Sequence, residues 1–435
     1  MTEHSAGRVL RHWSSPDDRP IEVTAAEGAR VYDSSGTGYL DFISQLYCVN
    51  AGHGNSAITD AMADQLDRVQ YVSSAKDNDT RSKLADAIAD VAPDGLDSVY
   101  FAVSGSEANE TAIQLAREYT GAKTILTRWR SYHGGTLATG GLTGDPAMRA
   151  PLEHHAAATG ATKFLPPLDY RSPFDADTPE DLADQAADHL DYVIRNQGPD
   201  SIAAILTEPI AGTSGAYTAP PGYFEQVREL CDEYDILLIS DEVITGFGRC
   251  GDWFGIQTEG VTPDMITFAK GVTSAYAPLA GVIANDAVAD FVRSDDTYLG
   301  QTFGGHPVAC AAGLGAMDEY RDGLFANVSD LAPILEEGLR SLERYDAVGD
   351  VRGRGFLWAI EFTDPETGEP FIDPRVSDAH NPVDDVIAEA QDRGLLLGSG
   401  RPGFQIIISP PFCIDEADID EAIETLDAAI KATFS

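Results

Sequence analysis

The sequence predicts an α/β protein: a large domain on a mainly parallel central sheet, and a smaller α+β domain assembled from both chain ends. Three observations predict it. The middle of the 435-residue chain alternates short β-rich apolar runs with helical patterns, as a parallel sheet covered on both faces requires. The two ends break that alternation. Several apolar runs stop abruptly at a charged residue. The expected division is 1–60 and 316–435 for the small domain and 61–315 for the large one.

Val31-Tyr32-Asp33 and the stretch from Gly36 to Phe42 read as short N-terminal strands. Ser98–Val103 reads as the first strand of the large domain. A helix follows over Ser106–Tyr119, with Ala108, Ala112, Ile113, Leu115, Ala116 and Tyr119 on its apolar side and Gly121 just past its end. Ile202–Leu206 is a second strand. Tyr223–Tyr234 is an amphipathic helix, because Tyr223, Phe224, Val227, Leu230, Cys231 and Tyr234 share one stripe. Ile236–Ile239 and Met265–Phe268 are a third and fourth strand. Phe356–Phe362 and Gln405–Ile408 are strands of the C-terminal part.

Seventy-one acidic residues against 29 basic ones leave a net charge of −42. Self-repulsion of that size is relieved by screening salt. The acids are spread over the whole chain rather than gathered in a tail. Lysine occurs six times, at 76, 83, 123, 163, 270 and 431. An acidic, lysine-poor chain resembles proteins of salt-accumulating haloarchaea. Nucleic acid is excluded as a partner, since no basic patch offsets phosphate repulsion.

Five widely spaced cysteines include no CxxC pair, so neither a disulfide framework nor a zinc site is expected. The adjacent His154 and His155 cannot both face one metal and read as surface. The N-terminal MTEHSAGRVLRHW lacks an apolar signal core, and no apolar run approaches membrane-spanning length. The expectation is a soluble, cytoplasmic protein without a membrane contact.

Three apolar runs end at residues a buried strand does not otherwise choose: IAAILT at Glu208, ILLIS at Asp241 and MITFA at Lys270. Each alone is equally the first solvated residue after a strand. Together they point to a crevice, because ligands of open α/β sheets bind outside the carboxyl ends of the strands. Ser104-Gly105-Ser106-Glu107-Ala108-Asn109-Glu110 sits between the first strand and its helix. Glycine admits a ligand close to the backbone, and the first helical N–H groups point outward at the positive dipole end. That makes a phosphate cradle, with the Ser106 hydroxyl as a further donor. The same Ser-x-x-Glu spacing is also that of an ordinary capping box. Neither GxxxxGK[ST] nor a strand-following GxGxxG occurs, which argues against P-loop and nicotinamide chemistry.

A phosphate cradle, an acid and a lysine together suit pyridoxal 5′-phosphate. An aspartate facing the ring nitrogen keeps it protonated and lets the ring accept electrons. At about 4 Å and an effective dielectric near 20, such a pair is worth roughly 4 kcal/mol. That is on the order of three pKa units.

The span SDEVITGFGRCGDWFG followed by PDMITFAKGVTSAYAPLAGV resembles the cofactor-lysine signature of class III aminotransferases, of PLP fold type I. The likeness runs nearly end to end. It implies that Lys270 carries the cofactor and Asp241 pairs with its ring nitrogen. It implies that Val243 and Tyr132 face the two sides of the ring, with His133 beside Tyr132 and Glu208 supporting the same end. Gly105 and Ser106 hold the phosphate, and Thr302 reaches the phosphate of a partner subunit. A homodimer with shared active sites, or a dimer of such dimers, follows. No metal is implied.

Among its relatives the chain most resembles amine:pyruvate and ω-amino-acid:pyruvate enzymes. These carry a mobile arginine at about the place of Arg401, which pairs with a substrate carboxylate and swings away for an uncharged amine. The stretch from Arg401 to Pro410-Pro411 is one residue shorter than in the usual form. Tyr47 stands where such enzymes often have tryptophan, which leaves a smaller, more polar wall. Gly304 stands where the phosphate turn often has serine. The expected reaction is a ping-pong transfer of an amino group from an amine or ω-amino acid to a keto acid, with pyruvate expected. The alternatives are a fold-type-I aminomutase, racemase or decarboxylase, or a 4-aminobutyrate- or ornithine-type enzyme using 2-oxoglutarate.

Overall fold

The computed structural model describes residues 9–10, 12–13, 20–153, 160–294 and 297–434. His154 and His155 lie outside the described residues. Seven strands form the central sheet, in the order Leu96–Ala102, Ala280–Asn285, Met265–Phe268, Leu237–Asp241, Ile202–Thr207, Thr124–Arg128, Ala161–Phe164. All run parallel except Ala280–Asn285, which is antiparallel to both neighbours. The connection leading into it, residues 269–279, holds only a single short helical turn. A parallel return needs a longer crossover, usually a full helix. The mixed α/β architecture matches the expected fold class.

The strands Ile202–Thr207, Leu237–Asp241 and Met265–Phe268 are buried at every position, as continuous apolar runs sandwiched by helices should be. Three strands of this sheet escaped the sequence reading. Thr124–Arg128 and Ala161–Phe164 carry Thr, Arg and Lys within four or five residues, so they lack an apolar run. Ala280–Asn285 depends on Gly281, where a Cβ would lie 2.4 Å from the Tyr100 carbonyl oxygen.

At the N-terminal end, Val23–Glu27, Arg30–Asp33 and Gly38–Asp41 form antiparallel pairs. Leu395–Leu396 then joins Gly38–Asp41 in parallel, so both ends of the chain share one sheet. Val348–Arg354, Leu357–Phe362 and Gln405–Ile408 make a further antiparallel sheet, with Gly398–Ser399 at its edge. No helix among the described residues is long and apolar enough to cross a membrane. No group of three or more metal-ligating side chains occurs among them either.

Candidate active site

The carboxyl ends of the buried strands bring Asp241, Glu208 and Lys270 into one neighbourhood. Asp241 ends its strand and is 3 % exposed. Its Oδ2 accepts hydrogen bonds from Asn109 Nδ2 and His133 Nδ1, both at 2.8 Å. Its Oδ1 accepts the Val243 amide at 3.1 Å. Asn109 also donates to the His133 carbonyl at 2.8 Å and accepts from the Thr267 hydroxyl at 2.7 Å. One buried amide therefore ties the helix Gly105–Thr120, the strand Met265–Phe268 and the loop at His133 to one carboxylate. Burial holds the His133 imidazole below its ordinary pKa, and Asp241 only partly offsets this. A neutral imidazole donating from Nδ1 leaves Nε2 buried without a partner.

Glu208 follows its strand and is buried. Its Oε2 lies 3.8 Å from Arg128 Nη2 and takes no hydrogen bond among the described residues. Burial pushes this carboxyl up to about 8, while the Arg128 charge pulls the other way. Arg128 donates to the Glu208 carbonyl at 2.6 Å. It ends the strand Thr124–Arg128, so it fits the same strand-end pattern as the three residues read from the sequence. It was missed because its strand is too polar to read. Glu242, beside Asp241, is buried too but is consumed by Thr245, Ser240 and the amides of Gly255 and Ile256.

Lys270 opens a single helical turn with φ of 46°, a region a side-chain-bearing residue rarely occupies outside strained functional positions. Burial lowers its pKa, offset in part by Cys48, Asp241 and Glu208. Its Nζ lies 5.7 Å from the centre of the Tyr47 ring. Tyr47 is buried and itself has φ of 60°. Cys48 follows Tyr47, which the sequence singled out, but a cysteine one residue further on carried no signal of its own.

The helix Gly105–Thr120 is capped by Ser104, whose hydroxyl accepts the Glu107 amide at 3.3 Å. The amides of Gly105 and Ser106 precede the helical hydrogen-bond ladder and stay at its open end. The Ser104 cap and the cradle are thus compatible. A Cβ on Gly105 would lie 2.9 Å from both methyls of Val243. Across the opening, the Ser106 hydroxyl accepts the Gly135 amide at 3.1 Å. The ideal Cβ of Gly135 lies 3.9 Å from the Tyr132 hydroxyl. The donor set fits a phosphorylated ring aldehyde: open amides and a hydroxyl for a dianion, a carboxylate for a ring cation, an amine below its usual pKa, and two unsatisfied buried atoms, Glu208 Oε2 and His133 Nε2.

Arg401 donates its backbone N–H to the Thr213 carbonyl at 2.7 Å, and its Nε lies 4.0 Å from Asp145 Oδ2. Its charge reaches both Tyr47 and Tyr132, opposing the upward push of burial on each phenol. Thr302 stands apart. It is exposed, its carbonyl accepts the Tyr71 hydroxyl at 3.0 Å, and no hydrogen bond among the described residues links it to Lys270, Gly105 or Ser106. Gly304 has a local reason to lack a side chain, since its Cβ would lie 2.5 Å from the Phe101 carbonyl oxygen.

Residues 13–430 match the family model for class III aminotransferases. The chain is 36% identical to a probable aminotransferase of Mycobacterium tuberculosis, over 93% of this chain and 88% of that one. It is 33% identical to a diaminobutyrate–2-oxoglutarate transaminase of Halomonas elongata, over 98% and 93%. Among solved structures it resembles a taurine:2-oxoglutarate aminotransferase from Bifidobacterium kashiwanohense in complex with PLP and glutamate, with a TM-score of 0.93 and 34% identity over 98% and 95% of the two chains. An (S)-enantioselective omega-transaminase from Thermomicrobium roseum gives 0.89 and 33% over 98% and 97%. With its strand-end acid, lysine and helix-end cradle, the chain belongs to the class III aminotransferases, enzymes that depend on pyridoxal phosphate to move an amino group between an amine and a keto acid.

Proposed function

We propose that this enzyme takes the amino group of an amine or ω-amino acid and passes it to a keto acid, pyruvate, in two half-reactions. The carrying observation is Asp241, held by Asn109 and His133 at 2.8 Å each in the neighbourhood of Lys270. When bound, pyridoxal phosphate supplies the electron sink for the bond broken at the amine carbon. The amides of Gly105 and Ser106 hold its phosphate. Asp241 holds a positive ring nitrogen, and Val243 and Tyr132 confine the ring, with His133 and Glu208 bracing that end. Lys270 Nζ would tether the cofactor and would carry the proton away from the substrate carbon. Burial lowers its pKa, which favours the neutral amine this needs. Tyr47 walls the substrate side, and Arg401 pairs with the substrate carboxylate.

A donor panel of 1-phenylethylamine, β-alanine, 4-aminobutyrate, taurine and ornithine against pyruvate and 2-oxoglutarate tests the reaction. Amino-group transfer is expected with at least one pair, and its absence from every pair rejects the reading.

Glu208 sets a pH dependence. Its value of about 8 in the folded protein lies above the ordinary 4.5. Its protonated form therefore supports folding below about pH 4.5, and that support is lost as pH rises through about 8. The loss is on the order of a few kcal/mol. In the cofactor-free protein, the Tm difference between wild type and Glu208→Gln should change in wild type's disfavour across this window. A difference that does not move with pH removes the buried neutral acid.

The cytoplasmic, salt-adapted homodimer rests on the net charge of −42 and on an exposed aromatic surface around Thr302, where Phe303 is 59% exposed. Thr302 reaches the phosphate bound by the partner subunit. Raising the salt from 0.1 to 1 M shortens the screening length from about 10 to about 3 Å, so Tm should rise by several degrees. Sedimentation in the same series should give the mass of two chains. A flat Tm ends the salt adaptation, and a monomer at every salt concentration ends the shared site.

A further inference from the structure

The segment 131–145 carries Tyr132 and His133 and folds back on itself, since the Ser131 carbonyl accepts the amides of Gly144 at 2.9 Å and Asp145 at 3.2 Å. The far end of this arm is the helix Leu137–Leu142. Six residues are too few for a helix to hold itself, because most of its backbone N–H and C=O groups lack an intrahelical partner. Two side chains of opposite charge hold its ends from outside.

Glu110 stands at the N-terminal end. Its Oε1 accepts the Thr136 hydroxyl and the amides of Ala138 at 3.2 Å and Thr139 at 3.3 Å. Glu110 belongs to the cradle helix Gly105–Thr120, where Arg117 is the nearby cation. Ser106 and Asn109 of that helix grip the same arm, through the Gly135 amide at 3.1 Å and the His133 carbonyl at 2.8 Å. Lys163, from the strand Ala161–Phe164, stands at the C-terminal end. Its Nζ donates to the carbonyls of Leu142 and, at 3.2 Å, Gly141, and to the Thr127 hydroxyl at 2.7 Å. Thr127 donates its own proton to the Leu142 carbonyl at 2.8 Å. An acid at the N–H end and an ammonium at the C=O end both oppose the partial charges of the helix.

Three acceptors meet Lys163, and only the ammonium form has three protons to give. It has no ion pair among the described residues, and the nearby Glu153 is held by Arg149 at 2.9 Å. Burial, with the Arg149 charge beside it, brings Lys163 down to about 7 against the pull of Glu153. His133 also feels the charges of Lys163 and Arg128. We propose that Glu110 and Lys163 are positioning residues that clamp the two ends of this helix and so set Tyr132 against the cofactor ring and His133 against Asp241. The inference rests on the reading in which Tyr132 confines the ring. Neutral Lys163 has too few protons for its acceptors, so the grip weakens as pH rises through about 7.

The experiment dilutes holoenzyme and reads the Kd of pyridoxal phosphate from its visible circular dichroism, with hydrogen exchange over 131–145 measured alongside. At pH 6, Lys163→Met should weaken the cofactor roughly 10- to 100-fold, and Lys163→Arg, which keeps the charge, should restore most of that loss. Between pH 6 and 9, the ratio of wild-type Kd to that of Lys163→Arg should rise about tenfold, because only the lysine loses its proton. Glu110→Gln keeps the shape, and should weaken the cofactor about tenfold and speed exchange in the arm but not elsewhere. Lys163→Met with a Kd within twofold of wild type overturns the proposal. So does a ratio to Lys163→Arg that stays flat with pH, a comparison that stands even if Lys163→Met does not fold. So does Glu110→Gln with unchanged exchange in the arm. Should no keto acid be aminated while affinity and exchange move as stated, the transamination reading fails and the clamp survives.

Discussion

Lys270→Ala is expected to abolish turnover, with kcat lower by on the order of 10⁴-fold or more. Both the covalent tether and the proton carrier are lost, and positioned acid–base catalysis alone contributes about 10²- to 10⁴-fold. The check is steady-state kinetics beside the visible spectrum of the purified variant, whose band should differ from that of lysine-bound cofactor. Folding should survive. Burial already penalises the Lys270 charge, so its removal breaks no net stabilising pair, and the cofactor-free Tm should be equal or higher. Turnover within tenfold of wild type ends the proposed role.

Asp241→Asn is the second large effect. Replacing a carboxylate by an isosteric amide removes a charge pair worth roughly 4 kcal/mol at about 4 Å and moderate dielectric. A loss of about 10³-fold in kcat follows. The variant has a second readout in His133. Its Nδ1 now meets a carboxylate at 2.8 Å, and Asp241 is the group that raises its pKa against burial. In the variant the His133 pKa should fall further, which NMR titration of the imidazole measures. An unchanged kcat would show that Asp241 acts only as a brace for the loop.

Both effects concern residues that are legible in the sequence. Asp241, Glu208 and Lys270 were visible because each interrupts an apolar run at the end of a strand, where burial alone does not explain a charge. Arg128 follows the same rule but ends a strand of mixed composition, so the interruption had nothing to interrupt. Asn109 lies inside a segment that was singled out for its glycine and serines. Its own function needs three partners, Asp241, His133 and Thr267, that are far away in the chain. Arg130 and Arg171 look like ordinary solvated arginines in sequence. Only the folded chain shows that Glu361, set on a strand of the C-terminal sheet, is shared by Arg171 and Arg352.

The order of strands, the reversal of Ala280–Asn285 and the joining of both chain ends in one sheet were likewise decided in three dimensions. Sequence alone determined the α/β class, the glycine–serine turn at the helix start and the lysine at the strand end, because these depend on periodicity and on neighbours in the chain. Tertiary structure decided which charges are paired and which are left open, because a charge's compensation depends on acids and bases brought together across hundreds of residues. Lys270 belongs to the first kind of knowledge. The carboxylate of Glu361, shared by Arg171 and Arg352, belongs to the second.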